Sequence, residues 1–161
     1  MAARPSAKFD FTCTASEAVK KNYPGWKEFI PLLRIASTEV MGSELPDITR
    51  MKLGIVILTD DELLEMNLRV LKHDFYTDIL TFEIEGSENE LEAELYFSFD
   101  RVVENALRFK VSLRNELARL AIHGMLHLAG FDDKEPEAKK LMRKKERFFL
   151  EHLQNERSIE Y

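Results

Sequence analysis

Cysteine is nearly absent from this 161-residue chain, which contains a single thiol, Cys13. One cysteine excludes an internal disulfide, so we expect no disulfide partner and a cytoplasmic location. Long hydrophobic runs are absent as well. No apolar stretch approaches the ~18 residues that a membrane helix needs, and residues 1–8 have no apolar run behind their charges. The sequence therefore predicts neither secretion nor a membrane partner.

Internal repeats and low-complexity segments are also missing, and the length is close to that of one ordinary domain. With 45% hydrophobic and 32% charged residues, the chain can bury a core without the help of a disulfide or a metal. We therefore expect a single domain over residues 1–161. A metal site in such a chain is expected to serve a function.

The predicted strands all lie before residue 100, and the chain after that residue is predicted to be helical. The apolar run of residues 53–58 is typical of a central strand that is covered on both faces. Alternating patterns predict the other strands, at residues 8–13, 78–85 and 90–99. Caps and apolar stripes predict helices at residues 24–41, 59–71, 100–110, 112–129 and 136–153. This order indicates an α+β domain, a small mixed β-sheet of about four strands with helices packed mainly on one face.

Two helices carry apolar stripes that define their expected buried sides. In the helix of residues 59–71 these are Leu63, Met66 and Val70. In the last helix they are Ala138, Leu141, Phe148 and Phe149.

Two histidines are candidate metal ligands of this sequence. His123 and His127 are four residues apart on a predicted helix, which points both imidazoles the same way. Gly130 can end that helix in a left-handed turn and bring the next residues back, so that Asp133 or Asp132 supplies an oxygen ligand. Three protein ligands with one open position are typical of a catalytic zinc site, although paired histidines on an apolar helix face are often ordinary core residues.

The residue that follows the first histidine excludes one class of enzyme. Zinc peptidases with an HExxH motif need a glutamate there as general base, and this chain has Gly124. Glycine instead leaves room for a neighbouring element to approach closely.

The segment HGMLHLAGFDD resembles the HGxLHLxGYDH signature of the YbeY family, single-domain bacterial metal-dependent endoribonucleases associated with ribosomal RNA maturation and ribosome quality control. Further upstream, Asn67, Asp74 and residues 77–82 resemble the family's N-x-x-Y-R-x-x-D-x-P-T-D-V-L-S-F, and residues 93–95 resemble its G-D-I. The resemblance spans most of residues 53–150. It implies one Zn²⁺ per chain, held by His123, His127 and Asp133, with His73 and His152 as alternatives for the third ligand.

Two positions depart from the family pattern. The third histidine falls on Asp133, a competent zinc ligand whose negative charge lowers the Lewis acidity of the ion. The arginine that the family is thought to place at the scissile phosphate falls on Leu71. Arg69 and Lys72 flank that position and are the candidates for a replacement catalytic cation; alternatively, both simply face solvent.

Charge is distributed unevenly along the chain. The net charge of −6 argues against nonspecific coating of nucleic acid, yet residues 101–149 carry 12 basic and 7 acidic side chains, whereas residues 1–100 carry 10 and 19. The basic excess predicts an RNA groove along the later helices, with a solvated helix face as the alternative. The candidate RNA-binding residues are Lys139, Lys140 and Lys144, with Arg143, Lys145, Arg147, Arg108, Lys110 and Arg114.

The resemblance to the YbeY family implies a zinc-dependent, single-strand-type endoribonuclease in ribosomal RNA processing and quality control. Its expected partners are ribosomal RNA and the ribosomal subunit. The alternative, favoured by Leu71 and Asp133, is an RNA-binding ribosome-assembly accessory protein with a structural metal and little hydrolytic activity. A metal hydrolase acting on a small substrate is a third hypothesis.

Overall fold

The computed structural model describes residues 7–155, so the predictions for residues 1–6 and 156–161, and the ends of the predicted single domain, lie outside the described residues. No helix of the described part combines the length and apolarity that spanning a membrane requires. The elements are β1 (Lys8–Ala15), α1 (Glu17–Asn22), a 3-10 turn (Trp26–Phe29), α2 (Ile30–Glu44), β2 (Arg50–Leu58), α3 (Asp60–Met66), a π-helical turn (Asn67–Leu71), β3 (Ile79–Gly86), β4 (Glu90–Ser98), α4 (Phe99–Phe109), α5 (Leu113–Leu128) and α6 (Pro136–Asn155).

The four strands form one mixed sheet in the order β1-β2-β4-β3. The first three are parallel neighbours, and β3 pairs antiparallel with β4. Parallel strands need crossover connections, which helices α1 and α2 supply between β1 and β2. A short turn at residues 87–89 suffices for the β3-β4 hairpin. The predicted α+β class and small mixed sheet are confirmed.

One face of the sheet forms the core. Met51, Leu53, Ile55 and Ile57 of β2 are buried, and in register beside them lie the buried residues 91, 93, 95 and 97 of β4. Helices α2 and α5 cover this face, while α4 and α6 pack against α5. The prediction that helices lie mainly on one face is therefore confirmed.

The prediction that residues 53–58 are covered on both faces is wrong. Gly54, Val56 and Leu58 point to the second face of the sheet and stay partly exposed. Their neighbours on that face of β4 include Glu92 and Glu94, whose carboxylates need water. Residues 53–58 are apolar at consecutive positions, but the side chains on one face of the strand are only half-buried.

Two predicted helices have different limits in the structure. The helix predicted at residues 24–41 is a 3-10 turn followed by α2, which has Pro31 in its first turn and continues to Glu44. The helix predicted at residues 59–71 begins with the predicted capping box of Thr59 and Glu62, but its α-helical part ends at Met66. The π-helical turn that follows changes the direction of the side chains, so the prediction that Val70 faces inward is wrong: it is 52% exposed.

Helix α6 is rotated relative to its predicted apolar side. Its buried residues are Met142, Glu146, Phe149 and Leu153, one side of a helix at intervals of three and four. Leu141 and Phe148, predicted to pack on the domain, are exposed. The rotation brings the carboxylate of Glu146 inward, where it meets the guanidinium of Arg119.

Gly124 lets α5 lie close to the sheet, as the sequence predicts. A Cβ atom at this position would lie 2.9 Å from the Cδ1 atom of Ile79 and from both Cδ atoms of Leu95. Both side chains belong to the sheet, at the start of β3 and within β4. The absent side chain therefore sets the distance between the sheet and the helix that carries the two histidines.

We expect Gly124→Ala to destabilise the protein. Crowding in a packed core costs about 1–3 kcal/mol, which exceeds the roughly 1 kcal/mol that alanine gains over glycine in a helix. The matched control is Gly42→Ala in α2, where a Cβ atom would meet nothing within 4 Å and only the gain applies. Thermal unfolding should move the two variants in opposite directions; an equal stabilisation of both would show that α5 is not held this tightly.

Candidate metal centre

One side of α5 carries a stripe of polar residues. Glu116, Arg119, His123 and His127 follow one another at intervals of three and four, which places them on the same side of the helix. The opposite side, which includes Leu117 and the residues one and two turns further on, is buried against α2 and the sheet. The stripe faces a cleft between α4 and α6.

The end of α5 turns the chain back toward this stripe. Gly130 has a φ of +98°, the left-handed conformation that favours glycine at a helix end. Its N–H donates to the carbonyl of His127 at 3.0 Å, and the N–H of Phe131 donates to the carbonyl of Leu126 at 3.0 Å. These two bonds satisfy the last carbonyls of the helix. The reversed chain then presents Asp133 beside the histidines.

Three ligand atoms meet at this point. The Nε2 atoms of His123 and His127 are 3.0 Å apart, and Asp133 Oδ2 lies 3.4 Å from the first and 3.6 Å from the second. A tetrahedral zinc ion with bonds of about 2.0–2.2 Å holds its ligand atoms roughly 3.3–3.6 Å from one another. The two distances to Asp133 lie within this range, and the distance between the two histidine nitrogens lies just below it. The three residues therefore have the chemistry, and nearly the spacing, to hold a metal ion.

The alternative ligands lie elsewhere. Asp132 Oδ1 accepts a hydrogen bond from the backbone N–H of Lys134 at 2.7 Å. His152 Nε2 lies 3.2 Å from Glu39 Oε2, and His73 stacks on another ring in the exposed segment before β3. Among the described residues, these three side chains are not part of the group that could hold a metal.

A buried carboxylate stands behind the first histidine. Glu146 Oε1 lies 3.1 Å from the Nδ1 atom of His123, and its side chain is 8% exposed. Burial raises the pKa of Glu146, but the hydrogen bond with His123 and the charge of Arg119 outweigh it and hold that pKa below its ordinary value. A carboxylate on one ring nitrogen directs the other toward the metal and increases its basicity.

Arg119 links this carboxylate to two others. Its Nη1 donates to Glu146 at 3.0 Å, while Nε and Nη2 donate to the two oxygens of Glu116 at 3.0 and 2.7 Å. Asp78, just before β3, lies 3.4 Å from Nη2. Burial lowers the pKa of Arg119, but the bonds to Glu116 outweigh this and the pKa lies above its ordinary value. The guanidinium remains charged and neutralises a carboxylate, Glu116, that is 1% exposed.

The sequence patterns described above did not predict this network. The intervals of three, four and four that join Glu116 and Arg119 to the two histidines were a local signal that could have found the helical part. Glu146 gave no such signal, because it reaches His123 only through the packing of α6 on α5.

The predicted cations lie in different places. Arg69 and Lys72 lie on the π-helical turn and just after it, are exposed, and do not line the cleft beside the histidines. Lys139 lines that cleft; Lys140 and Lys144 are exposed on α6 but do not. The catalytic and RNA-binding roles of these five residues stay predictions.

The cleft extends from the histidines along α5 and has a volume of about 590 Å³. It is lined by polar residues, by exposed apolar residues of the α4-α5 turn, and by basic residues of α6. A volume of this size lies within the range of small-molecule sites.

Known proteins are similar to this chain in sequence and in fold. A family model described as Endoribonuclease YbeY matches residues 28–154. The Endoribonuclease YbeY of Parabacteroides distasonis is 36% identical over 138 residues, which are 85% of this chain and 87% of that protein. That of Cytophaga hutchinsonii is 40% identical over 60% of this chain and 67% of its own. The solution structure of TM1509 from Thermotoga maritima aligns with a TM-score of 0.60 at 26% identity, covering 92% of both chains.

Proposed function

This chain belongs to the YbeY family of endoribonucleases, and from that premise we propose that it cleaves ribosomal RNA with one zinc ion per chain, held by His123, His127 and Asp133. The observation that carries the proposal is the triangle of ligand atoms, 3.0 to 3.6 Å on its sides, at one end of an open cleft. Two imidazoles and a carboxylate are a ligand set that zinc accepts.

Each residue of the site has a separable task. A zinc ion supplies Lewis acidity and positive charge for the hydrolysis of a phosphodiester. Glu146 holds the ring of His123 in place, and Arg119 keeps Glu146 charged and fixed. Lys139 and Arg143 line the cleft and offer positive charge to the phosphates of a bound strand.

A second candidate function is an accessory role in ribosome assembly, with a structural metal and little hydrolysis. The observation that favours it is at Leu71, where the family pattern has an arginine: this side chain is apolar, and the neighbouring Arg69 and Lys72 do not line the cleft. In this version the cleft still binds RNA. Cytoplasmic location, association with the ribosomal subunit and a part in ribosome quality control belong to both versions as proposals.

Removal of the metal tests the two functions. We expect the purified protein to contain about one zinc per chain and to cleave structured ribosomal RNA fragments, because the ligand set leaves one of the four usual zinc positions to water or substrate. A chelator should abolish cleavage and zinc should restore it. Elemental analysis and gel assays of the fragments measure both. Zinc without cleavage favours the accessory role; a metal-free protein that still cleaves would contradict both versions of the site.

A further inference from the structure

We propose that the cleft beside the histidines holds an unpaired nucleotide of a single RNA strand, and that the base of this nucleotide stacks on Phe109. The inference rests on the proposed function, since it identifies how that site takes its substrate. It assigns to the α4-α5 turn a direct part in substrate binding.

The first observation is an aromatic ring at the cleft. Phe109 is the last residue of α4, lines the cleft and is 58% exposed. At this exposure the ring buries only part of its surface, so it is available for contact with a ligand in the cleft. Val111, also exposed, lines the same wall. An open aromatic ring beside a nuclease centre is the surface on which single-stranded nucleic acids stack their bases.

The second observation is the charge around this ring. The guanidinium carbon of Arg108 lies 5.7 Å from the centroid of Phe109, and Lys110 follows directly. From the opposite wall, Arg143 and Lys139 of α6 line the cleft. Cations of α6 in the cleft wall, together with cations that flank the ring in sequence but lie outside the cleft lining, offer positive charge to a phosphate backbone, and the ring offers a platform for one of its bases.

The conformation of Lys110 supports a role for this turn. Its φ of +56° is left-handed, a conformation in which glycine is less strained than lysine. The N–H of Val111 donates to the carbonyl of Ala106 at 3.0 Å, which closes the turn and fixes Phe109 at the cleft. The turn therefore holds the ring in place at the cleft.

The third observation is a pair of side-chain amides. Asn105 and Asn115 line the cleft, on either side of the turn that carries Phe109. Asn105 also donates to Glu116 at 3.4 Å, which joins it to the carboxylate network. Amides hydrogen-bond the edges of bases, and the Watson–Crick edge is available only when a base is unpaired. The combination of ring, amides and cations matches a single-stranded nucleotide better than a duplex.

Phe109→Ala tests the inference. Loss of the stacking of one base on an aromatic side chain weakens binding by at least about fivefold. We expect this loss for a single-stranded oligoadenylate bound to the zinc-loaded protein, with unchanged zinc content. The matched control is Leu107→Ala on the same helix: Leu107 is 77% exposed but does not line the cleft, so its removal should leave RNA affinity unchanged. Fluorescence anisotropy measures the affinities, and gels verify that the probe stays intact.

Two further variants distinguish stacking on an aromatic ring from simple apolar contact with a large side chain. Phe109→Leu should lose as much affinity as alanine, whereas Phe109→Trp should retain it. The chain has a single tryptophan, Trp26, which is 5% exposed, so the indole of the Phe109→Trp variant provides a separate signal that a stacked adenine should quench.

The outcomes are distinct. If the wild-type protein binds and cleaves RNA while Phe109→Ala binds as tightly as Leu107→Ala, the stacking inference is wrong and the proposed function stands; the exposed ring then belongs to a contact with another class of partner. A zinc-loaded wild-type protein that neither binds nor cleaves RNA contradicts the proposed function and the inference together.

Discussion

Replacing His127 by alanine is expected to remove the metal and with it the cleavage of RNA. His127 contributes one of the three ligand atoms, and the remaining pair, His123 and Asp133, are 3.4 Å apart with no third donor from the described group. Loss of a residue that only supports a ligand costs about 10–100-fold in metal affinity or activity, so loss of a ligand should cost more than about a hundredfold. Elemental analysis and a cleavage assay on the same preparation measure both effects.

The control for this variant is Asp133→His, which restores the three-histidine set of the family pattern. A neutral ligand leaves more positive charge on the ion, so this variant should retain zinc and cleave at least as fast as the wild type. Normal zinc content in His127→Ala, by contrast, would show that His127 is a packing residue and not a metal ligand.

Replacing Arg119 by methionine is expected to give the largest loss of stability. The variant leaves Glu116, 1% exposed, and Glu146, 8% exposed, without their shared cation. Breaking a buried ion pair by removing one partner costs about 3–5 kcal/mol, and the lower end applies because the guanidinium is itself partly exposed. Metal affinity should fall as well, by about 10–100-fold, because Glu146 loses the guanidinium that holds it in place against His123. Chemical denaturation and zinc titration provide the two measurements.

Arg101→Met is a matched control. Arg101 is exposed to a similar degree and donates to Asp60 at 3.0 Å, but that carboxylate is 23% exposed and water can solvate it after the change. We expect a cost of about 1 kcal/mol or less. Equal destabilisation by the two variants would show that the buried network contributes nothing specific.

Acid should affect the network in a defined direction. Because the pKa of Glu146 is lower in the folded protein than its ordinary value, this carboxylate stabilises the fold above the unfolded-state pKa of about 4.3. That contribution is lost as the pH falls through the folded-state pKa. In Arg119→Met one cause of the lowered pKa is gone, so its stability should change less with acidification than that of the wild type.

The parts of the site that follow from local geometry could be predicted from sequence. A helix places residues four apart on one side wherever it packs, so His123 and His127 needed no knowledge of the fold. The return of Asp133 depended on Gly130, whose left-handed turn is likewise a local property.

The parts that depend on packing could not be predicted. The side of α6 that buries Glu146 and exposes Leu141 depends on how this helix packs against α5, where Arg119 meets the carboxylate. The exposure of Val70 could not be predicted, because the π-helical turn that contains it has no recognisable sequence pattern. The half-open second face of β2 depends on its neighbour β4, which lies forty residues away along the chain.

The three proposed ligands lie within one helix and the turn that ends it, which bears on how metal binding and folding are coupled. Bringing them together closes only a short loop, and the entropy cost of loop closure grows with loop length. An unfolded chain can therefore gather the same ligands with little penalty, and any affinity of the unfolded state subtracts from the stabilisation that a metal confers. The ion should consequently raise the unfolding temperature by less than its affinity for the native protein implies. Metal lost on transient unfolding should also be recaptured before the sheet has reassembled.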